Sequence, residues 1–113
     1  MNNVSLIGRL TKDPEVGGKK DKKYARYTLA VDRGYKDEDG NRPADFISCV
    51  TFRGGAEFAD TYLEKGQMIG VTGSIRTGSY ENEDGEKRYT TEVVVNNHFF
   101  TGSAPTDKKG KKK

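Results

Sequence analysis

Apolar side chains recur at every second position through most of this chain, and that period changes only once. Val4, Leu6, Gly8 and Leu10 alternate with Asn3, Ser5, Ile7 and Arg9, which predicts a strand with one apolar face. "TKDPEVGGKKDKK" (11–23) reads as a loop, interrupted by Pro14 and Gly17-Gly18. Ala25, Tyr27, Leu29 and Val31 alternate in a second strand, and "DFISCVTF" (45–52) returns as a third. Asp39-Gly40 marks the turn between them, with Asp37 able to face Arg42 across it. Past Gly54-Gly55 the spacing becomes helical: Ala56, Ala59, Tyr62 and Leu63 recur on one side, and Gly66 sits where a C-cap belongs. "QMIGVTGSI" (67–75) is a fourth strand, and a hairpin carries the chain into a fifth near Val95.

Asp84-Gly85 is a strong two-residue turn signal for that hairpin. Counting outward pairs Glu83 with Glu86, Asn82 with Lys87, Glu81 with Arg88, and Tyr80 with Tyr89. This register predicts an opposite-charge pair and an aromatic pair, each worth roughly 0.2–1 kcal/mol. Tyr89 would then support Tyr80 across the strands, or join Thr91, Val93 and Val95 on an inward face.

Three strands, a short helix and two further strands suit an all-β OB-fold. That is a five-stranded Greek-key barrel with one short helix between strands 3 and 4, here with an extended β-hairpin. An open β-sandwich or an SH3-like barrel answers to the same pattern. The 113 residues leave room for one core. Residues 1–100 are expected to form the domain and 101–113 a disordered lysine-rich tail, which has no apolar face to bury.

The net charge of +3 is informative once it is located. The last thirteen residues carry five lysines and one aspartate, so 5 − 1 = +4, and the remaining hundred carry 15 basic and 16 acidic groups, 15 − 16 = −1. A polyanion site on the body must therefore arise from local arrangement. Acid gathers at turn tips, in "DED" (37–39) and "ENEDGE" (81–86), while arginines stand singly within strand-like stretches. Cys49, the single cysteine, excludes an internal disulfide and reads as a buried small side chain. The amino terminus lacks a signal-peptide pattern and no apolar run approaches the ~20 residues of a membrane span, so a cytoplasmic protein is expected.

Catalysis has little to work with. His98 is the sole histidine and has no evident cysteine or serine partner, so it reads as a surface or interface residue. The acidic clusters lack the glycine position and terminal glutamate of a calcium loop, and no glycine-rich cradle opens a helix. No enzyme activity, metal or cofactor is expected. The aromatic residues are more telling. Tyr27 and Tyr62 share faces with leucine and alanine, as core residues do. Tyr35, Phe46, Phe52 and Tyr80 stand near turns or on strand faces shared with polar residues. Exposed rings flanked by arginines are what a platform for single-stranded nucleic acid requires, because π-faces stack bases without regard to sequence while guanidinium groups hold phosphates.

"VSLIGRLTKDPEV", "YTLAVDR", "DFISCVTF", "AEFADTYLEKGQMIGVTGSI" and "RYTTEVVV" follow one another with spacings that resemble the bacterial and phage single-stranded DNA-binding proteins, a family that is itself a standard case of this mode of binding. The resemblance covers residues 2 to 95. It implies an OB-fold subunit, a homo-oligomer that is usually a tetramer, and coating of single-stranded DNA in replication, recombination and repair. The family's stacking positions, typically three tryptophans and a phenylalanine, fall on Tyr35, Phe46, Phe52 and Tyr80, with Arg9, Lys12, Arg33, Arg53, Arg76 and Arg88 as expected phosphate contacts. An OB-fold adaptor that binds mainly protein, and an RNA-binding barrel, are the alternatives. The chain departs from the family at Gly17-Gly18 and at Gly78-Ser79, where basic or aromatic residues are common. It also ends in lysines rather than an acidic tip, so its tail is not expected to recruit partner enzymes.

Overall fold

The computed structural model describes residues 1–101; the expectation of a disordered tail falls, Thr101 apart, outside the described residues. Its elements are β1 (Val4–Leu10), β2 (Glu15–Gly17), a 3₁₀ turn (Lys20–Lys22), β3 (Tyr24–Asp32), β4 (Ala44–Phe52), α1 (Gly54–Tyr62), β5 (Met68–Glu81) and β6 (Lys87–Phe100). The strands lie in the order β1-β5-β6-β4-β3-β2. A second pairing of β1, with β3 through Arg9–Ala30 and Leu10–Leu29, closes five of them into a ring. β4 and β6 run parallel where they meet, at Cys49–Val93 and Val50–Val94, and the other pairings are antiparallel. The helix lies between β4 and β5 as an OB-fold requires. β2 is the difference from the five-strand expectation: Glu15–Gly17 sits beside Pro14 and Gly18 yet pairs with Arg26, Ala25 and Tyr24 as a short flap on β3.

The period-two pattern buries what it should. Leu10, Ala25, Tyr27, Leu29, Cys49, Ile69, Val71, Val93 and Val95 face the interior, where Ala56, Ala59 and Leu63 close one end. Each fully buried leucine contributes about 1.5–3 kcal/mol. Two alanines let α1 approach the sheet closely, and Leu63 is wholly buried just beyond its last turn. That burial also explains a correction. The chain turns extended at Leu63 to place its side chain, so Gly66 does not cap the helix. Gly66 instead takes a positive φ of 87° in the next turn and donates its N–H to the Leu10 carbonyl (2.8 Å). A bulge at Thr72/Gly73 shifts β6 by one residue, and a side chain at Gly73 would collide with the Val94 carbonyl.

The hairpin register is one residue away from the expectation. Only Gly85 in the turn has positive φ (81°), so Asp84-Gly85 cannot form a turn with two left-handed residues. Asn82 instead closes a three-residue loop, its N–H bonded to the Glu86 carbonyl (2.9 Å) and its Oδ1 accepting the N–H groups of Asp84 and Glu86 (both 2.9 Å). Glu81 therefore pairs with Lys87, Tyr80 with Arg88 and Ser79 with Tyr89. A one-residue shift turns side chains to the other face, so Tyr80 and Tyr89 lie on opposite faces, and Tyr89 is 76% exposed rather than in the core. Asp37 repeats the device in the other acidic tip. Its Oδ1 accepts the N–H groups of Asp39 and Asn41 (both 2.9 Å), and Arg42 pairs with Asp32 (3.5 Å) instead.

Candidate nucleic-acid interface

Alternation that buries one side of β3 and β4 necessarily presents the other. On that outward side Tyr24 pairs directly with Phe52, Arg26 with Val50, Thr28 with Ser48, and Ala30 with Phe46. Val50 is buried there, but Tyr24, Phe46 and Phe52 are exposed, Phe46 at 69%. Six residues separate Phe46 from Phe52 on β4, or roughly 20 Å. Along the ribbon, Arg76 and Tyr80 share the face that meets Phe52, four residues or roughly 13 Å apart, and Tyr80 is 57% exposed. Tyr35 is exposed in the loop after β3. Phe46, Phe52 and Tyr80 thus stand on one outward surface. Tyr24 joins them, and no sequence pattern places it there, because only the fold sets it opposite Phe52.

Two guanidinium groups cover rings in this surface: Arg26 lies 5.8 Å from the Tyr24 centroid and Arg76 lies 5.7 Å from that of Phe52, both within cation–π range. Glu92 ties them together. Its Oε2 accepts from Arg76 Nε and Nη2 (3.2 and 2.6 Å), and its Oε1 from Arg26 Nη1 (2.8 Å). Arg76, with Arg26 adding to it, holds the Glu92 carboxyl below its ordinary range despite the opposing effect of burial. Neither Arg26 nor Glu92 was among the expected site residues. Arg26 could have been found as the outward neighbour of buried Ala25 and Tyr27; nothing in the sequence pointed to Glu92.

The expected phosphate contacts are dispersed. Lys12 lines a groove of about 320 Å³ together with Arg26, Thr28 and Ser48, and with the carboxylates of Asp13 and Glu15. Arg33 is engaged by Asp45, whose Oδ1 accepts from Nε and Nη2 (3.0 and 2.7 Å). Arg88, opposite Tyr80, donates to Glu86 (2.7 Å). Arg53 leads into α1 with φ 53°, a costly conformation for a side-chain-bearing residue. Arg9 lies elsewhere, on β1, with Nη1 on the Gly66 carbonyl (3.1 Å).

His98 is half-buried, more enclosed than a surface residue would be. The bulge turns it inward, where its Nε2 and the Tyr27 hydroxyl share a hydrogen bond (2.8 Å) and its ring stacks on Phe58 at 4.9 Å. Burial pushes its imidazole down to about 4 and raises the Tyr27 hydroxyl well above its usual range. Burial likewise pushes the Cys49 thiol up to about 12, which leaves it an inert core group. No group of three or more histidine, cysteine, aspartate or glutamate side chains that could hold a metal occurs among the described residues. No helix among them is long and apolar enough to cross a membrane.

Comparison with known proteins agrees with the architecture. The chain is 50% identical over 105 residues to a single-stranded DNA-binding protein of Clostridium perfringens, covering 91% of this chain and 67% of that one. It is 49% identical over 96 residues to single-stranded DNA-binding protein 1 of Streptococcus pyogenes, covering 84% and 74%. Among solved structures, the Plasmodium falciparum SSB in complex with ssDNA superposes with a TM-score of 0.78 at 23% identity, over 90% of this chain and 96% of that one. The model of the single-strand binding protein family matches residues 1–101, and the chain belongs to that family.

Proposed function

We propose that this chain binds single-stranded DNA with little sequence preference and without catalysis, as a cytoplasmic protein of replication, recombination and repair. The observation that carries the reading is the outward face of β3, β4 and the ribbon. Its exposed rings, Tyr24, Phe52, Phe46 and Tyr80, follow one surface, and a guanidinium lies over each of the paired two. Such rings offer each base a stacking partner worth about 1–3 kcal/mol whatever its identity. They carry few donors or acceptors at fixed positions, so base identity is not read. Lys12, Arg26, Arg53 and Arg88 supply charge beside them, and Tyr35 extends the aromatic track into the loop after β3.

A second outward region favours assembly. Ile7 on β1, Met68 on β5 and Phe99 on β6 are exposed side by side, and Gly70 between Ile7 and Phe99 leaves a shallow apolar groove of about 490 Å³. A second copy covering this face gives a homo-oligomer, in keeping with a tetramer. The functional test is a titration with oligo(dT), the matching RNA and duplex DNA. Tight binding confined to oligo(dT) is expected. Preference for RNA supports an RNA-binding barrel, and weak binding to all three supports an adaptor that binds protein.

A further inference from the structure

Arg26 and Arg76 look equivalent in composition but are bonded differently. Arg76 spends its Nε and Nη2 on one carboxylate oxygen of Glu92, which is the planar edge that would otherwise grip a phosphate with two parallel bonds. Arg26 gives Glu92 only its Nη1, so its Nε and Nη2 carry no hydrogen bond to any described residue. Glu92 is recessed, with 17% of its side chain exposed, while about half of each guanidinium side chain reaches solvent (52% and 49%). Arg26 lines the groove that holds Lys12, Thr28 and Ser48 together with Asp13 and Glu15, so a backbone there would find a further cation and two hydroxyls at one side and two carboxylates that bar it from the other. Each also lies over a ring, Arg26 over Tyr24 and Arg76 over Phe52, so the difference between them is the edge that Arg76 commits to Glu92.

We propose that Glu92 divides the work between these arginines: it commits Arg76 to the Phe52 platform and leaves Arg26, with Lys12, to take the DNA phosphates. Glu92 is thus a positioning residue that acts through Arg76, and Arg76 is not the phosphate contact that its sequence position suggests. A carboxylate in that place has a further consequence. It satisfies one cation of the cluster in the free protein, so the surface does not bind every polyanion indiscriminately. The inference rests on the single-strand-binding reading, which is tested by the parent protein alone, since parent that fails to bind oligo(dT) removes the reading before any variant is compared.

The experiment is a salt series of oligo(dT) titrations on the full chain and on Arg26→Ala, Arg76→Ala, Glu92→Gln and the Glu92→Gln/Arg76→Ala double variant. For single strands, the slope of log affinity against log salt changes by about 0.7 for each phosphate neutralised. Arg26→Ala should flatten the slope by about 0.7. Arg76→Ala should weaken binding with a slope parallel to the parent's, because a ring loses its cation and no phosphate contact is lost. Glu92→Gln should steepen the slope by about 0.7 as Arg76 is released, and the double variant should return to the parent slope. A flattened slope in Arg76→Ala, or a parallel one in Arg26→Ala, overturns the assignment. So does a steeper slope that persists in the double variant, which would trace the gain to the lost negative charge and not to Arg76. Arg26 stands on an exposed strand face, so its variant decides the question even where a Glu92 substitution unsettles the fold.

Discussion

Replacing Phe46 with alanine separates the binding role of an aromatic ring from its contribution to folding. With 69% of the residue exposed, only about a third of it is covered by protein. Burying a whole phenylalanine contributes about 1.5–3 kcal/mol, so a third of that places the stability cost at about 0.5–1 kcal/mol. A stacked base is worth about 1–3 kcal/mol, or roughly a 5- to 150-fold loss of affinity at 1.4 kcal/mol per decade. The expected signature is therefore a large change in binding beside a small one in stability. Truncation of Leu29, wholly buried in the core, should invert that order, costing about 2–5 kcal/mol of stability. The assay pairs an oligo(dT) titration with urea unfolding of the same preparation. Parent-like affinity, or a stability loss that exceeds the loss of binding free energy, would refute the assignment of Phe46 to the platform.

Tyr24→Ala should weaken oligo(dT) binding by a similar 1–3 kcal/mol, because it pairs directly with Phe52; a parent-like titration would remove it from the site. His98 predicts a pH dependence of stability. Its folded pKa of about 4 lies below the ordinary 6.5, so the unfolded chain binds the proton first. Stability from this group is complete above pH 6.5, is lost as pH falls, and levels near pH 4, the full excursion being about 3 kcal/mol. Urea unfolding between pH 6.5 and 5 should show about 1.6 kcal/mol of this, and His98→Gln should flatten the curve there; equal slopes would contradict the half-buried neutral imidazole. Removing residues 102–113 takes away five lysines and one aspartate. It should flatten the salt slope by about 1–2, from a ceiling of about 3.5 for five contacts; parallel slopes would make those residues bystanders.

Much of the fold was legible because burial writes itself into period two. Ala25, Tyr27 and Leu29 are inward as their alternation requires, and Ala56, Ala59 and Leu63 mark the single helical stretch. What was misread is governed by hydrogen bonds that carry no periodicity. Asp84-Gly85 has the composition of a complete two-residue turn, but the Asn82 side chain decides the loop and hence the register. The same device at Asp37 shows the signal that was present: Asp37-Glu38-Asp39-Gly40 and Asn82-Glu83-Asp84-Gly85 are nearly one motif, an acid or amide followed three residues later by glycine. Both acidic tips thus contain structural turns as well as solvated charge. His98 escapes the pattern for a different reason, since a bulge at Asn96, opposite Thr72/Gly73, reverses the inward face of β6 and alternation counted from Val95 fails beyond it. At the site, the family pattern led to Phe46, Phe52 and Tyr80. It did not lead to Tyr24, Arg26 or Glu92, which become neighbours of those rings only when β3, β4 and the ribbon are assembled.

The central claim is that bases lie on one outward face and not on the other. Ultraviolet crosslinking of oligo(dT) to the full chain, followed by mass spectrometry of the nucleotide-bearing peptides, tests it without altering any side chain. Adducts are expected at Tyr24, Phe46, Phe52 and Tyr80, with Ile7, Met68 and Phe99 unmodified. Adducts concentrated at Ile7, Met68 or Phe99, with those four rings untouched, would contradict it.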